Sequence, residues 1–473
     1  MASKHISFDA IPSSIRKPGK YFEFNTKLAV RTLPANAQKM LIIAQRMAAG
    51  SVAALVPTNV FSDAEAAGYF GNGSNAHQMC RAAIKANPYL QLTVCALDDN
   101  AAGTAATGTL TITGPATGPG VLRLFIGSRR IEIAVATGAV HGDIAAALNT
   151  ELGKYADLPV TAAVALGVVT LTAKHKGTIG NLVDLTTEVT AAGVASAVVA
   201  MAAGATDPDT ATAYAKVFAE KFDIIAIPYV DATAIGALKT HMDSVSGPLE
   251  QRPGVGVYCL DSALATATTL APTINGGRIT NGFLRGTKSP SYEMAAAYAA
   301  VIAFEEDPAR PLNTLALPGI AAPDITQRLS RTEQESCLAN GVTPFEVGPG
   351  EVVQIVRAIT TYVKDANNID DISLLDLTTI RILDYVRKAC RERIALRFPR
   401  EKLSSKTAPK VRSELIDVLK KLEDLEIVEE VSANLPGLIV ERDLQDPNRL
   451  NAKIPADVVN GLHVFAGRID LLL

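Results

Sequence analysis

The chain has no excess of either charge. Its 45 Lys and Arg stand against 48 Asp and Glu, a formal net of −3. Neither a global basic surface for nucleic acid nor an acidic solvating tail follows from that balance. Cysteine is sparse. Cys80, Cys95, Cys259, Cys337 and Cys390 are odd in number, far apart and never in C-x-x-C spacing. This argues against a disulfide framework or a zinc site, and for a reducing compartment. The opening MASKHISFDAIPSSIRK has no apolar stretch followed by a small-residue cleavage site, so no secretory signal is expected. Long apolar runs are missing as well. Residues 189–206 lack any charge, but they are mostly Ala, Gly, Thr and Ser, far less lipophilic than a membrane span. The expectation is a soluble chain made in the cytoplasm, with no membrane insertion.

The motifs of common chemistries are absent too. There is no G-x-x-x-x-G-K-[ST], no H-E-x-x-H and no G-x-S-x-G. The six residues 71–76 (GNGSNA) imitate a dinucleotide fingerprint, which requires a strand immediately before it. Residues 63–70 read as helix instead, so the segment is expected to be a Gly-rich turn with Ser74 or Asn75 capping the next helix. His5, His77, His141, His175, His241 and His463 are scattered, and His141-Gly142-Asp143 reads as a polar turn and helix start. Asp370-Asp371 beside Asn367 and Asn368 lacks calcium-loop spacing, and capping of the following helix is the expected role. No catalytic residue, metal site or cofactor is predicted, and the reading is a non-enzyme.

What is present is a real core: 48% of residues are hydrophobic and 20% charged, and the length suggests about two to four domains. Residues 1–34 read as an extended arm broken by Pro12, Pro18, Gly19 and Pro34. Within it Phe22, Phe24, Thr26, Leu28 and Val30 alternate with polar residues, a strand with one apolar face. Residues 35–100 and 207–345 share short apolar runs alternating with Ala-rich helical stretches, the texture of one α/β core domain. Residues 101–206 carry 12 charges in 106 positions. They read as a β-rich domain inserted between the two core halves, with one helix near 142–152.

Residues 346–473 read as a C-terminal α+β domain. A strand is expected at 351–363. A long helix is expected at 374–398, with Leu377, Ile380, Leu383, Val386, Cys390 and Ile394 as its apolar stripe. A second helix is expected at 409–427, with Val411, Leu415, Val418, Leu422 and Leu425, and strands at 438–440 and 462–473. Charge here is bipolar. Residues 381–421 hold 13 basic and 5 acidic side chains, whereas 422–446 hold 8 acidic and 1 basic. Either these are two solvated helix faces, or they are complementary contact patches. The fold class expected overall is mixed α/β, multidomain: an α/β core, an inserted β-rich domain, a C-terminal α+β domain and extended terminal strands.

Several segments, taken in order, resemble one family. ISFDAIPSSIRKPGKYFEF (6–24), GNGSNAHQMCRAAIKANPY (71–89), DPARPLNTLALPGIAAP (307–323), ITTY (359–362), FPREKL (398–403), VERDLQDPNRL (440–450) and PADVVNGLHVFAGRIDLLL (455–473) are similar to the tail sheath proteins of contractile-tailed bacteriophages, in the Mu-like branch. The segment after Leu403, SSKTAPK, is shorter than the family pattern.

The resemblance implies a structural subunit that polymerises with itself in hexameric layers of a helical sheath. The sheath surrounds a tail tube protein, meets baseplate and tail terminator proteins, and contracts to drive the tube through the host envelope without consuming nucleotide. It implies a place in the virion tail, with assembly in the host cytoplasm and no direct contact with nucleic acid. Terminal strands are expected to enter neighbouring subunits through Phe22, Phe24, Leu28 and Val30 at one end and Ile469, Leu471 and Leu473 at the other. The C-terminal domain is expected to lie next to the tube. Arg381, Lys388 and Arg391 on one helix face, with Arg400 and Lys402, are expected to meet the tube or a neighbour. The alternatives are the sheath of a phage-derived tailocin or type VI-like secretion device and, more distantly, an α/β enzyme with an inserted lid.

Overall fold

The computed structural model describes residues 16–22, 33 and 36–472. The chain divides into two compact units. One contains Val386–Asp457; the other contains Asn36–Tyr385 and the residues from Val458 on.

The larger unit begins with β1 (Lys39–Gln45), β2 (Pro57–Val60), α1 (Asp63–Phe70), α2 (Asn75–Ala86) and β3 (Gln91–Leu97). Then come β4 (Ala105–Thr113), β5 (Gly120–Ile126), β6 (Arg129–Val135), α3 (His141–Leu152), β7 (Val160–Ala165), β8 (Val168–Lys176), β9 (Leu185–Val189) and β10 (Ala195–Ala202). The chain continues through α4 (Ala211–Val217), β11 (Ile224–Ala226), α5 (Ala232–Ser246), β12 (Val255–Leu260), α6 (Leu264–Ile274) and β13 (Ile279–Phe283). It closes with α7 (Ser291–Phe304), α8 (Arg331–Ala339), β14 (Thr343–Gly348) and β15 (Val352–Ile355).

Eight of these strands form one sheet in the order β15-β14-β13-β12-β11-β1-β3-β2. Its six inner strands are parallel, and β2 and β15 close the two edges antiparallel. The sequence of β1, KMLIIAQ, explains why it lies inside: Met40 to Ala44 are all fully buried, as expected of a parallel strand covered on both faces. Helix α7, SYEMAAAYAAVIAF, has 12 of its 14 residues buried, mostly alanine and other apolar side chains, as expected of a helix inside a core. Its alanines permit close packing on α2, where the Tyr292 hydroxyl donates to Gln78 Oε1 at 2.7 Å. Helix starts follow local chemistry. Ser62 and Asp231 cap α1 and α5, and Ser330 with Glu333 forms a reciprocal capping box on α8.

Between β3 and α4 the chain makes two further antiparallel sheets, β10-β4-β8-β7 and β6-β5-β9. Their alternating inward residues, among them Leu110, Ile112, Leu122, Leu124, Ile131, Val169 and Leu171, join Leu148 of α3 in an apolar cluster separate from that of the large sheet. The uncharged stretch 189–206 lies here and contains β10. Among the described residues no helix is long and apolar enough to cross a membrane.

The second unit differs from the sequence reading in its start. A boundary near 346 falls inside the β14–β15 hairpin, where Phe345 pairs with Ile355 and Val347 with Val353. Backbone pairing therefore holds that segment in the large sheet, and the second unit begins at Val386. The strand expected at 351–363 stops at Ile355; beyond it Thr360 N–H goes to the Leu375 carbonyl and Thr361 N–H to that of Ile279. Helix α9 (Leu377–Arg397) carries the chain from one unit into the other, and α10 (Thr407–Asp424) follows. On α10 Val411, Leu415, Val418 and Leu422 are buried as their spacing requires, while Leu425 is exposed. Strands Ile439–Arg442 and Leu450–Lys453 form a two-stranded hairpin. Residues 459–472 form no strand, because a ladder needs a partner and none of the described residues supplies one there.

Candidate assembly surfaces

In doubly wound sheets ligands bind outside the carboxyl ends of the strands, where the strand order reverses. Here that point is β1, with β3 on one side and β11 on the other. The chain leaves β3 at this point to make the inserted domain, and the insertion seals the crevice with its own atoms. Gln45, at the end of β1, donates through Nε2 to Asp99 Oδ1 at 2.7 Å and to the Lys176 carbonyl at 2.8 Å. Lys176 N–H returns to Asp99 Oδ2 at 3.0 Å, and His175 Nδ1 lies 2.7 Å from Asp99 Oδ1. Asp207 accepts from the Thr178 N–H at 2.7 Å and hydroxyl at 2.6 Å. No sequence motif marked Gln45, Asp99 or His175; only the fold brings β1, β3 and β8 to one place.

The turn at 71–76 follows α1, not a strand, and Ser74 Oγ caps α2 by accepting from His77 N–H at 3.1 Å. His141 opens α3. Asp371 does not cap α9. Its carboxylate accepts from the Tyr362 hydroxyl at 2.6 Å and from Ser373, which holds the loop before the helix. All five cysteines are free and buried. One crevice of about 240 Å³ lies between α2, the β5–β6 turn and the start of α7. It contains Arg81, Lys85, Arg129, Asp157 and Glu293. Burial pushes the Glu293 carboxyl up to about 7, against the pull of Arg81 and Lys85.

Of the residues expected to exchange between subunits, Phe24, Leu28, Val30 and Leu473 lie outside the described residues. Phe22 is 88% exposed, Ile469 98% and Leu471 83%; Leu462, Val464, Phe465 and Leu472 are exposed with them. The segment is pinned at its root. His463 Nδ1 meets the Asn313 amide at 2.9 Å, beside Asp376, which is itself clamped by Arg357 through two bonds of 2.9 and 2.7 Å. Beyond His463 a run of apolar side chains faces solvent.

The basic face on α9 is not as expected. Arg381 is only 8% exposed, and its guanidinium donates to the Glu305 carbonyl at the end of α7. It lies on the buried side of the helix with Ile382 and Tyr385, whereas Leu383, placed in the apolar stripe by its spacing, is exposed. The predicted stripe residues Leu377, Ile380, Val386 and Cys390 are buried and Ile394 is half-buried, but the buried face is wider than the stripe and takes in an arginine that binds a helix-end carbonyl. Lys388 is half-buried, and Arg391, Arg400 and Lys402 are exposed. Part of the basic block is neutralised within its own unit. Arg393 is buried and meets Asp417 at 2.6 Å and Glu414 at 3.2 Å, and Lys410 reaches Glu401 at 3.2 Å. Arg412 is used up on the Leu438 and Leu435 carbonyls. The hairpin Ile439–Arg442 with Leu450–Lys453 is a two-stranded sheet, a size that is marginal without further strands.

Residues 203–361 match the phage tail sheath protein central domain, and residues 370–471 the phage tail sheath C-terminal domain. The Mu-like prophage FluMu tail sheath protein of Haemophilus influenzae is 33% identical over 486 residues, covering 99% of this chain and all of that protein. Two crystal structures share the fold at 15% identity. The sheath tail protein of Desulfitobacterium hafniense has a TM-score of 0.51 and covers 94% of this chain and 97% of its own. The sheath tail protein of Listeria innocua has a TM-score of 0.51 and covers 91% and 94%. The chain belongs to the phage tail sheath family, as a tail sheath protein of the contractile, Mu-like kind.

Proposed function

We propose that copies of this chain polymerise in six-fold layers of a helical sheath around a tail tube protein, between a baseplate and a tail terminator. On a trigger at the baseplate the sheath shortens and drives the tube through the host envelope. The energy comes from a difference in interface free energy between two packings of one subunit. No catalytic step, nucleotide or cofactor is needed. Assembly takes place in the host cytoplasm and the product is the virion tail. Helical stacking is heterologous: one patch meets a different patch on the next copy.

The observation that carries this reading is the exposed C-terminal segment. Six large apolar residues between Leu462 and Leu472 stand in solvent, and burying one such side chain is worth roughly 1.5–3 kcal/mol. Docking on an open strand edge of another copy would recover that energy and pair the backbone as well. Phe22, Phe24, Leu28 and Val30 are assigned the same role at the other end, and Leu473 completes the C-terminal strand. Lys388, Arg391, Arg400 and Lys402 are assigned to contact with acidic groups on the tube or a neighbour. The inserted domain is assigned to the outer surface. Deleting residues 464–473, beyond the His463 anchor, tests the reading. The expected product is a monomer with a near-unchanged melting temperature that forms no tubes by negative-stain microscopy. Tubes of normal length from the truncated chain would refute it.

A further inference from the structure

The unit Val386–Asp457 carries its charge at two ends. Helix α10 has 18 residues. At 1.5 Å per residue it is about 27 Å long, enough to span a unit of this size. Just ahead of it and in its first turn, residues 400–410 hold four basic side chains and one acidic. Thr407 draws this loop onto the helix start: its hydroxyl donates to the Lys402 carbonyl at 2.6 Å, and its Oγ1 accepts from Ser404 N–H at 3.0 Å. Lys410 is engaged by Glu401. Arg400, Lys402 and Lys406 are exposed and have no side-chain partner among the described residues. At the other end, residues 423–430 hold five acidic side chains and no basic one. Glu423 Oε1 accepts from Val431 N–H at 2.9 Å, which keeps residues 429–430 beside the last helical turn. Asp424, Glu426, Glu429 and Glu430 are exposed, again without a side-chain partner among the described residues. Leu425 stands among them, 55% exposed.

These signs are the reverse of what the helix itself favours. The N–H groups at a helix start attract acids, and the carbonyls at its end attract bases. Here the first turn has no acid, and the N-cap residue is Lys406, which makes no side-chain cap bond. At the far end Lys420 and Lys421 are taken up by Glu423 and Asp417, at 3.4 and 3.2 Å. The hairpin corrects neither end, since residues 439–453 hold three acids and three bases. Such an arrangement costs the isolated unit stability and is favourable only against opposite charge on another molecule. The chain carries that opposite charge itself. We propose that the basic loop before α10 of one copy meets the acidic turn after α10 of the next, so that these units stack head to tail. The inference rests on the reading that the chain polymerises, and it names the surface that Arg400 and Lys402 face. Two different patches meet, a heterologous contact that extends instead of closing. Complementary charge sets partner and register, and Leu425 supplies an apolar centre to the acidic side.

Two variants of the full chain test the contact. One is Arg400→Glu/Lys402→Glu/Lys406→Glu; the other is Asp424→Lys/Glu426→Lys/Glu429→Lys/Glu430→Lys. Each alone sets like charges against its own copies and should associate about tenfold more weakly than the unmodified chain at 50 mM salt, as read by sedimentation. An equimolar mixture of the two should sediment faster than either alone and lose that association at 500 mM salt. Both sets of changes in one chain restore a self-complementary subunit, which should again form tubes by negative-stain microscopy. That chain gives α10 the signs it favours, so its melting temperature should equal or exceed that of the unmodified chain. If a reversed chain fails to fold, Arg400→Gln/Lys402→Gln/Lys406→Gln takes its place and should still associate less at 50 mM salt. A single reversal that associates like the unmodified chain, a mixture that sediments as its components do, or a large drop in melting temperature in the doubly reversed chain would each overturn the proposal. Absence of tubes from the unmodified chain would instead overturn the sheath reading, and the mixture would still decide the contact.

Discussion

At the residue scale the informative groups are charges kept in unusual surroundings. Glu293 titrates near 7 when folded, against an ordinary value of 4.5, because burial penalises its charged form more than Arg81 and Lys85 favour it. The folded state therefore holds a proton that the unfolded state releases, and stability falls as pH rises from about 4.5 to about 7. Glu293→Gln should raise stability at pH 8 by on the order of 1–3 kcal/mol and flatten that slope, as read by thermal melts across the pH range. An unchanged melting curve at pH 8 would show that the crevice solvates the carboxylate. Arg393 is the opposite case, a buried cation with two carboxylates on it. Arg393→Ala removes the cation shared by Glu414 and Asp417, leaving each with a weaker partner, Arg397 at 3.6 Å and Lys421 at 3.2 Å, and a loss of about 1–3 kcal/mol is expected in denaturant titration. Arg393→Met together with Glu414→Gln and Asp417→Asn should restore most of it.

At the element scale α9 is decisive. Its helical period was legible in the sequence, and its described span, Leu377–Arg397, lies inside the predicted one. The full width of its buried face was not legible. A stripe drawn through Leu383 treats every arginine as outward, yet Arg381 is buried against a helix end, where carbonyls without intrahelical partners attract a cation. The surface argument for a basic contact therefore rests on the half-buried Lys388 and, above all, on the exposed Arg391, Arg400 and Lys402, without Arg381. Reversing those three to Glu should weaken sheath formation more at 50 mM than at 500 mM salt, since exposed ion pairs are screened. Each pair is worth only about 0–1 kcal/mol, and repetition along a polymer multiplies it. Sedimentation at the two salt concentrations checks this; no change at either would leave the face merely solvated.

At the scale of the whole molecule, the inserted domain has its own apolar cluster, and its two ends meet where Thr104 and Ala205 bridge. Replacing residues 105–204 by a short linker should leave a folded chain that still assembles into tubes by microscopy. Its core should be less stable, because Gln45 loses the Lys176 carbonyl and Asp99 loses His175 and the Lys176 N–H. A folded variant that no longer assembles would give the insertion a part in the sheath contacts. Much of the molecule was legible beforehand. The α/β texture, the helix starts at Ser74 and His141 and the family all follow from local periodicity, capping chemistry and ordered motifs, and these are written in neighbouring residues. What only the tertiary structure decided depends on partners distant in sequence. The unit boundary lies at Val386 because β14 and β15 pair with the large sheet. Arg381 lies inside because its partner carbonyl is 76 residues away. The crevice of the doubly wound sheet is filled because β8 returns to β1 and β3 across more than a hundred residues, a meeting that no local pattern encodes.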